Sequence, residues 1–169
     1  LITGRLGADW LRAIRRWAVL SWAILGMGLL IGAWWAYHVL GWGGYWGWDP
    51  VENLALLPWL TGTAFLHSII VQERRGMLKV WNLALLLATF ALSVYGTFIV
   101  RSGILSSVHS FATSDIGHWF LVYLALVLVV GIGLLVYRFP GLQSERRIES
   151  ISSREAGFLF NNLLLTAIA

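Results

Sequence analysis

Long uninterrupted runs of hydrophobic residues alternate along this chain with short polar stretches. Four of the runs contain about 18–23 residues each, and about 20 residues of helix cross the hydrocarbon core of a bilayer. These four runs occupy residues 17–39, 54–71, 80–100 and 118–137, and a shorter fifth run occupies residues 156–169. The pattern predicts an all-α fold, a polytopic integral membrane helical bundle of four complete transmembrane helices and the start of a fifth.

Both ends of the sequence favour its being part of a longer protein. The chain begins at Leu1 rather than Met, has no secretory signal-peptide pattern and ends inside an apolar stretch. A helix stub exposed to lipid would leave backbone groups unsatisfied at membrane depth. We therefore expect residues 1–169 to be a single transmembrane segment, a fragment of a larger protein.

The composition of the chain excludes a soluble domain and any chemistry that needs a cysteine of its own. Hydrophobic residues make up 59% of the chain and charged residues only 12%, which excludes an ordinary soluble domain. The chain has no cysteine, so disulfides, Cys-ligated metals and thiol redox chemistry are excluded within this segment. Any sulfur chemistry at this protein therefore uses thiols that belong to a partner.

The basic residues predict an orientation. Eleven of the twelve Lys and Arg residues precede the first run, follow the second or follow the fourth, and these three places lie on one side of the membrane. The positive-inside rule makes that side cytoplasmic. The connections at residues 41–53 and 101–117 are therefore predicted to be extracytoplasmic loops. The net charge of +4 is a topology signal and requires no nucleic acid.

The first of these loops reads GWGGYWGWDPVEN, residues 41–53. Its end predicts a helix start, because Asp49 suits an N-cap, Pro50 the first helical position and Glu52 a capping box. Pro58 then removes an internal hydrogen bond and is expected to bend the helix.

The aromatic residues of this loop permit two interpretations. Membrane-interface belts account for scattered tryptophans such as Trp10, Trp17, Trp22 and Trp81. A belt needs about one aromatic residue per helix end, whereas this loop has Trp42, Tyr45, Trp46 and Trp48 interleaved with glycine. Such spacing also suits a flat apolar surface for a large planar ligand. Composition alone leaves the belt and the platform open.

His67 is predicted to lie deep in the second span. It follows Pro50 by about 17 residues, or about 25 Å along a helix, toward the cytoplasmic half of the membrane. An ionisable residue at that depth is either functional or a buried histidine bonded to a neighbouring helix. Imidazole is the usual axial ligand of haem iron. The residues expected to share its helix face, and to be small or apolar enough for a macrocycle, are Leu60, Thr63, Ala64 and Val71.

The outer side carries further candidates. His109 follows the third span in the second loop, where it is either an ordinary loop histidine or a group that reaches over the aromatic loop. Arg101 is the lone outer basic residue and a candidate partner for a carboxylate such as a haem propionate, or else a headgroup-level arginine. His38 and His118 lie at ends of the first and fourth spans and are interpreted as interfacial.

These residues together resemble a known family. WGGYWGWDPVEN closely resembles the tryptophan-rich signature of the WWD haem-handling membrane proteins of cytochrome c biogenesis, and the resemblance is nearest to the CcmF-type haem lyase subunits. It runs through nearly the whole chain. The other supporting stretches are WDPVENLALLPWLTGTAFLHS, VQERRG, GTFIVRSGILSSVHSFA and SREAGFLFNNLLL.

The resemblance implies roles for individual residues. His109 would be an axial ligand of haem at the outer face, and His67 an axial ligand of a separate, permanently bound b-type haem in the membrane. Each iron would take a second histidine from outside this stretch. Tyr45 and Gly47 stand where bulkier aromatic residues are common, and His38 where an aromatic is usual. The outer haem platform would consist of Trp42, Gly43, Gly44, Trp46, Trp48, Asp49 and Glu52.

The resemblance also implies an activity, its partners and a location. The protein would promote covalent thioether attachment of ferrous haem to the Cys-X-X-Cys-His motif of apocytochrome c, with the membrane haem supplying electrons. A haem chaperone, the apocytochrome and a thiol-reducing, apocytochrome-handling subunit would be partners in the bacterial inner membrane. The alternative is a sister WWD haem transporter or delivery subunit, which would lack the deep histidine.

Overall fold

A computed structural model of the chain describes residues 7–108, 116–142 and 154–168. Within these ranges the regular elements are five helices, and no strand occurs. They are α1 (Ala8–Val39), α2 (Pro50–Arg75), α3 (Lys79–Ser102), α4 (Gly117–Leu142) and α5 (Arg154–Ile168). The first four are long and apolar enough to cross a membrane. The prediction of an all-α membrane bundle is confirmed.

Helix α1 begins well before the first apolar run. The extension carries several charges, and two of its arginines pair with residues one turn away or on the next helix. Arg12 bonds Asp9, and Arg15 Nη1 donates to Glu73 Oε2 of α2 at 2.6 Å. The helix satisfies its own backbone, and these pairs support its continuation beyond the hydrophobic span.

The start of α2 is the predicted capping box. Asp49 has extended backbone angles, and its Oδ2 accepts the Val51 N–H at 2.9 Å. Glu52 Oε2 reaches back to the Asp49 N–H at 3.3 Å. The helix ends at Gly76, which has a left-handed φ of 69° that glycine adopts without steric cost.

Helix α2 is the centre of the described bundle. It packs against α1, α3 and α5, while α4 packs against α3. A buried apolar cluster joins α1, α2 and α3 through Leu11, Ala64, Phe65, Ile69 and Leu85. The position of α2 matters for function because the same helix begins at the aromatic loop and carries His67.

Buried polar side chains fix α2 against α3. Asn82 Nδ2 donates to Gln72 Oε1 at 2.7 Å, and the Ser68 hydroxyl donates to Asn82 Oδ1. All three side chains are buried, so the amide and hydroxyl groups are satisfied within the bundle. Interhelical hydrogen bonds of this kind hold helices together in lipid, because lipid supplies no hydrophobic driving force for helices to associate.

Trp22, interpreted from the sequence as one of the scattered interfacial tryptophans, contacts helix α2. Its Nε1 donates to Thr63 Oγ1 at 2.8 Å, and its ring stacks on Trp59 with centroids 5.3 Å apart. The indole N–H needs a partner wherever it is withdrawn from water, and the Thr63 hydroxyl supplies one. Trp22 therefore joins α1 to α2.

Candidate functional site

Hydrogen bonds to the first turn of α2 hold the aromatic loop in place. The Glu52 carboxylate is 8% exposed, and its Oε2 accepts the Gly47 N–H at 3.0 Å as well as the Asp49 N–H. Asn53 Nδ2 donates to the Trp48 carbonyl at 3.2 Å. Trp48 itself has a positive φ of 56°, which a bulky residue rarely adopts. The bonds around it over-determine this strained backbone, a situation typical of functional sites.

The rings of the loop divide into an outward pair and an inner pair. Trp48 is 72% exposed and Tyr45 56%, whereas Trp42 and Trp46 are half-buried. Trp46 meets Trp48 edge to face with centroids 6.2 Å apart. Tyr45 stacks on Tyr37 of α1 at 4.5 Å. Two rings thus face outward while the others and α1 support them.

The glycines of the loop differ in what surrounds them. A Cβ built at Gly43 or Gly44 meets nothing within 4 Å. A Cβ at Gly47 would collide with the Trp42 ring, so this glycine packs directly under an indole. The surface over Gly43 and Gly44 is therefore open to a planar ligand, and the absence of a side chain at Gly47 is what lets Trp42 lie against the loop.

A hydrogen bond between side chains joins the aromatic loop to the segment that follows α3. Ser107 Oγ donates to Asp49 Oδ2 at 2.7 Å, on the same carboxylate that caps α2. Sequence reasoning missed Ser107, although a capping carboxylate with accepting capacity left over is a signal that a donor lies nearby. His109 lies outside the described residues, two positions beyond this contact.

Arg101 ends α3 close to the base of the same region. Its side chain is exposed and lines a cavity of about 370 Å³ together with Val51 and Leu54 of α2 and Thr97 of α3. Arg101 therefore lies beside the first turn of α2, near the loop that the sequence assigned to ligand binding.

His67 faces outward from α2. Its Nδ1 lies 2.8 Å from the Thr63 carbonyl oxygen, which can only accept, so Nδ1 donates the hydrogen and a neutral ring would have its lone pair on Nε2. Ligating histidines are held this way, with the second ring nitrogen donating to a carbonyl or carboxylate. Of the residues expected to share its helix face, Ala64 and Val71 are buried in the bundle. The exposed apolar neighbour is Ile70.

The other described histidines lie at helix ends. His38 is exposed, with its Nδ1 2.9 Å from the Trp34 carbonyl oxygen and its ring beside the Trp34 indole. His118 is exposed at the start of α4 beside Trp119. Within the described ranges no group of three or more His, Cys, Asp or Glu side chains gathers around a metal-sized space.

The helical bundle and the aromatic loop at residues 41–53 are typical of a membrane protein of the cytochrome c assembly class. Residues 4–106 match the family model described as "Cytochrome C assembly protein", and the chain belongs to that family.

Individual relatives narrow the class further. The chain is 48% identical over 165 residues to the cytochrome c-type biogenesis protein CcmF of Pseudomonas aeruginosa and 45% identical over 168 residues to CcmF of Escherichia coli. These matches cover 97% and 99% of this chain but only 25% and 26% of the relatives. The chain therefore spans about a quarter of the length of the curated relatives it matches. The expected resemblance to CcmF-type proteins is confirmed.

A solved structure of the same kind matches the described fold. The chain resembles the structure titled "Cytochrome c Heme Lyase CcmF" with a TM-score of 0.72 and 34% sequence identity. The match covers 96% of this chain and 24% of that one. Both the fold and the sequence thus place this segment among CcmF-type proteins of cytochrome c biogenesis.

Proposed function

We propose that this chain forms the haem-handling segment of a CcmF-type haem lyase subunit. In this role it binds haem at the outer face and promotes thioether attachment of ferrous haem to the Cys-X-X-Cys-His motif of apocytochrome c. The observation that carries the proposal is a loop with open space over Gly43 and Gly44 and an exposed Trp48 ring. The Glu52 carboxylate fixes the backbone of this loop. A preorganised flat apolar surface suits a porphyrin plane better than it suits a headgroup belt.

The residues of the platform have different tasks in this proposal. Trp48 and the open surface over Gly43 and Gly44 contact the porphyrin face, with Trp42 and Trp46 supporting them. Asp49 and Glu52 are withdrawn from that surface and bind backbone N–H groups, so they hold the loop rather than the ligand. Arg101 supplies the cation for a propionate, and His109 supplies an axial imidazole.

The reaction itself places few chemical demands on this chain. Each apocytochrome thiol adds across a haem vinyl group, so that sulfur bonds one vinyl carbon and the thiol hydrogen goes to the other. The chain has no cysteine of its own to compete for the vinyl groups. The contribution of the chain is to hold the haem in one orientation and to exclude competing reactions. Proteins usually position a cofactor in this way, while the cofactor supplies the chemistry.

His67 provides a second, resident haem site in the proposal. Its Nδ1–H is bound to the Thr63 carbonyl, and its Nε2 is directed away from its own helix backbone, which fits an axial ligand. A b-type haem held there supplies electrons that keep the outer haem ferrous. The deep histidine also favours a lyase subunit over the sister WWD transporter, for which an outer platform would suffice.

The partners follow from the same chemistry. A haem chaperone delivers the outer haem, apocytochrome c brings the thiols, and a thiol-reducing, apocytochrome-handling subunit keeps those thiols reduced. The distribution of basic residues supports insertion in the bacterial inner membrane with residues 41–53 on the extracytoplasmic side.

Absorption spectroscopy of the purified full-length protein tests the proposal. It predicts b-type Soret and alpha bands that disappear in His67→Ala, while His109→Ala keeps those bands and loses cytochrome c maturation. A full-length protein without b-type bands would contradict the resident haem. Normal maturation in His109→Ala would discard the role of that histidine, and maturation-competent protein without bound outer haem would favour an interfacial belt.

A further inference from the structure

One exposed stripe of α2 carries three different groups in a definite order toward the cytoplasmic end. His67, Ile70 and Arg74 are all exposed, whereas Ser68, Ile69, Val71 and Gln72 are buried against the bundle. An ideal helix turns almost twice in the seven residues from His67 to Arg74, so the imidazole and the guanidinium lie on nearly the same face. Ile70 lies between them and is 38% exposed.

The order of these groups matches the chemistry of haem. The imidazole Nε2 offers a metal ligand, the Ile70 side chain offers apolar contact for the macrocycle, and the guanidinium offers a partner for a carboxylate. The helix rises about 10 Å between His67 and Arg74, at 1.5 Å per residue. That separation is within the combined reach of a haem propionate and an arginine side chain.

The side chain of Arg74 is also available for such a contact. Among the described residues its guanidinium makes no hydrogen bond and no ion pair, whereas Arg15 is engaged by Glu73 in the preceding position. An unpaired guanidinium in the last turn of a helix has a simpler explanation, because it complements the helix dipole and satisfies the positive-inside rule. Arg75 can also complement the helix dipole and satisfy the positive-inside rule. It projects from a different face of α2 than His67 does, so it serves as the control.

We propose that Arg74 binds a propionate of the intramembrane haem, so that the macrocycle lies along α2 over Ile70 with its propionates toward the cytoplasmic side. The inference rests on the proposed function of His67 as an axial ligand. It adds Arg74 as a binding residue and an orientation for the haem, and both follow from the order of His67, Ile70 and Arg74 along α2. Arg74 then acts on the resident haem only, and the outer loop does not depend on it.

The test compares three substitutions in the full-length protein. Charge-assisted hydrogen bonds are the strong ones, and losing one corresponds to about tenfold in affinity. Arg74→Gln is expected to release the b-type haem to apomyoglobin about tenfold faster and to lower the haem midpoint potential, because removal of a nearby cation favours the ferric state. Arg75→Gln should stay within about twofold of the unchanged protein in release rate. Arg74→Lys keeps the charge but not the planar fork, and is expected to fall between them.

The outcomes separate the two proposals. If the unchanged protein holds no b-type haem, the assignment of His67 fails and this inference fails with it. If the haem is present but Arg74→Gln matches Arg75→Gln in both release rate and potential, the inference alone is overturned. Should Arg74→Gln not accumulate in membranes, Arg74→Lys decides, since haem release identical to that of the unchanged protein would exclude a bidentate contact.

Discussion

The aromatic loop at residues 41–53 and the exposed stripe of α2 are built in opposite ways. The loop presents rings on a strained backbone, with Trp48 at positive φ, and the Glu52 carboxylate of the next helix turn holds it in place. The stripe lies on an unstrained helix, and the orientation of His67 is set by the carbonyl four residues earlier. The loop depends on side-chain hydrogen bonds to its backbone and on one long-range bond from Ser107, whereas the stripe follows from helical periodicity.

This difference suits the two tasks proposed for the regions. A surface for a substrate that must arrive and leave needs shape without a strong bond of its own, and open space over Gly43 and Gly44 provides it. A site for a resident haem needs a fixed ligand. Substitutions in the loop should therefore disturb outer haem binding while leaving the b-type spectrum intact, and the following predictions examine that separation.

The largest effect is expected from Glu52→Ala. The change leaves two N–H groups of the loop, at Gly47 and Asp49, without their acceptor, and each unsatisfied group costs about 1–3 kcal/mol. We expect haemin affinity at the outer face to fall at least about thirtyfold. Titration of the full-length protein with haemin measures it.

Glu52→Gln is the matched control. Its amide oxygen can accept the same two N–H groups, so it should retain most of the outer affinity. The b-type bands should be unchanged in both variants. Equal haemin binding in Glu52→Ala and the unchanged protein would mean that the carboxylate does not hold the platform.

Gly47→Ala should have the next largest effect. The added methyl collides with the Trp42 ring, and overpacking of this kind costs about 1–3 kcal/mol, or about tenfold in haemin affinity. Gly44→Ala places its methyl in open space, where only a bound ligand would meet it. Hydrogen exchange of the loop amides without added haemin should therefore rise in Gly47→Ala and stay unchanged in Gly44→Ala. Equal exchange in both would contradict the packing of Trp42 on Gly47.

Ser107→Ala is expected to have a smaller effect on the same surface. It removes the hydroxyl that joins the second loop to Asp49, but the capping bond from the Val51 N–H remains. We expect about a fivefold loss of haemin affinity, which corresponds to about 1 kcal/mol, the usual net contribution of one hydrogen bond. Ser107→Thr should restore the bond, and Ser106→Ala, at the exposed neighbour, should behave like the unchanged protein. Loss in Ser106→Ala equal to that in Ser107→Ala would assign the effect to the loop as a whole.

The sequence predicted the helical part of the molecule well because its signals are local. Apolar run length predicted four spans, and the order Asp49, Pro50, Glu52 predicted the start of α2, all of which the structure confirms. The position of His67 along α2 also followed from counting residues along a helix. Its exposure did not, because the sequence does not show that Ala64 and Val71 are buried in the bundle while His67 is exposed.

Contacts between side chains that are not adjacent in sequence could not be predicted from local patterns. No local pattern indicates that Ser107 bonds Asp49, that Trp42 lies on Gly47 or that Trp22 bonds Thr63. The contacts of Ser107 and Trp22 depend on which segments pack together, and α2 packs against three neighbouring helices. The contact of Trp42 depends on the conformation of the loop itself. The roles of the platform residues and of His109 stay predictions for the same reason.

Trp22→Phe, the substitution with the smallest expected effect, tests whether the two regions are independent. Trp22 of α1 stacks on Trp59 of α2, which lies between the aromatic loop and His67 in sequence, and Phe keeps a stacked ring while losing the bond to Thr63. An interhelical hydrogen bond in a membrane is worth about 0.5–1 kcal/mol, so a modest drop in thermal stability is expected. Trp17→Phe, at a ring 68% exposed, should cause none. Haemin affinity and the b-type midpoint potential should hold in both variants, because the Thr63 carbonyl that orients His67 belongs to the helix backbone. A shift of either quantity in Trp22→Phe alone would show that the α1–α2 pair couples the loop to the stripe.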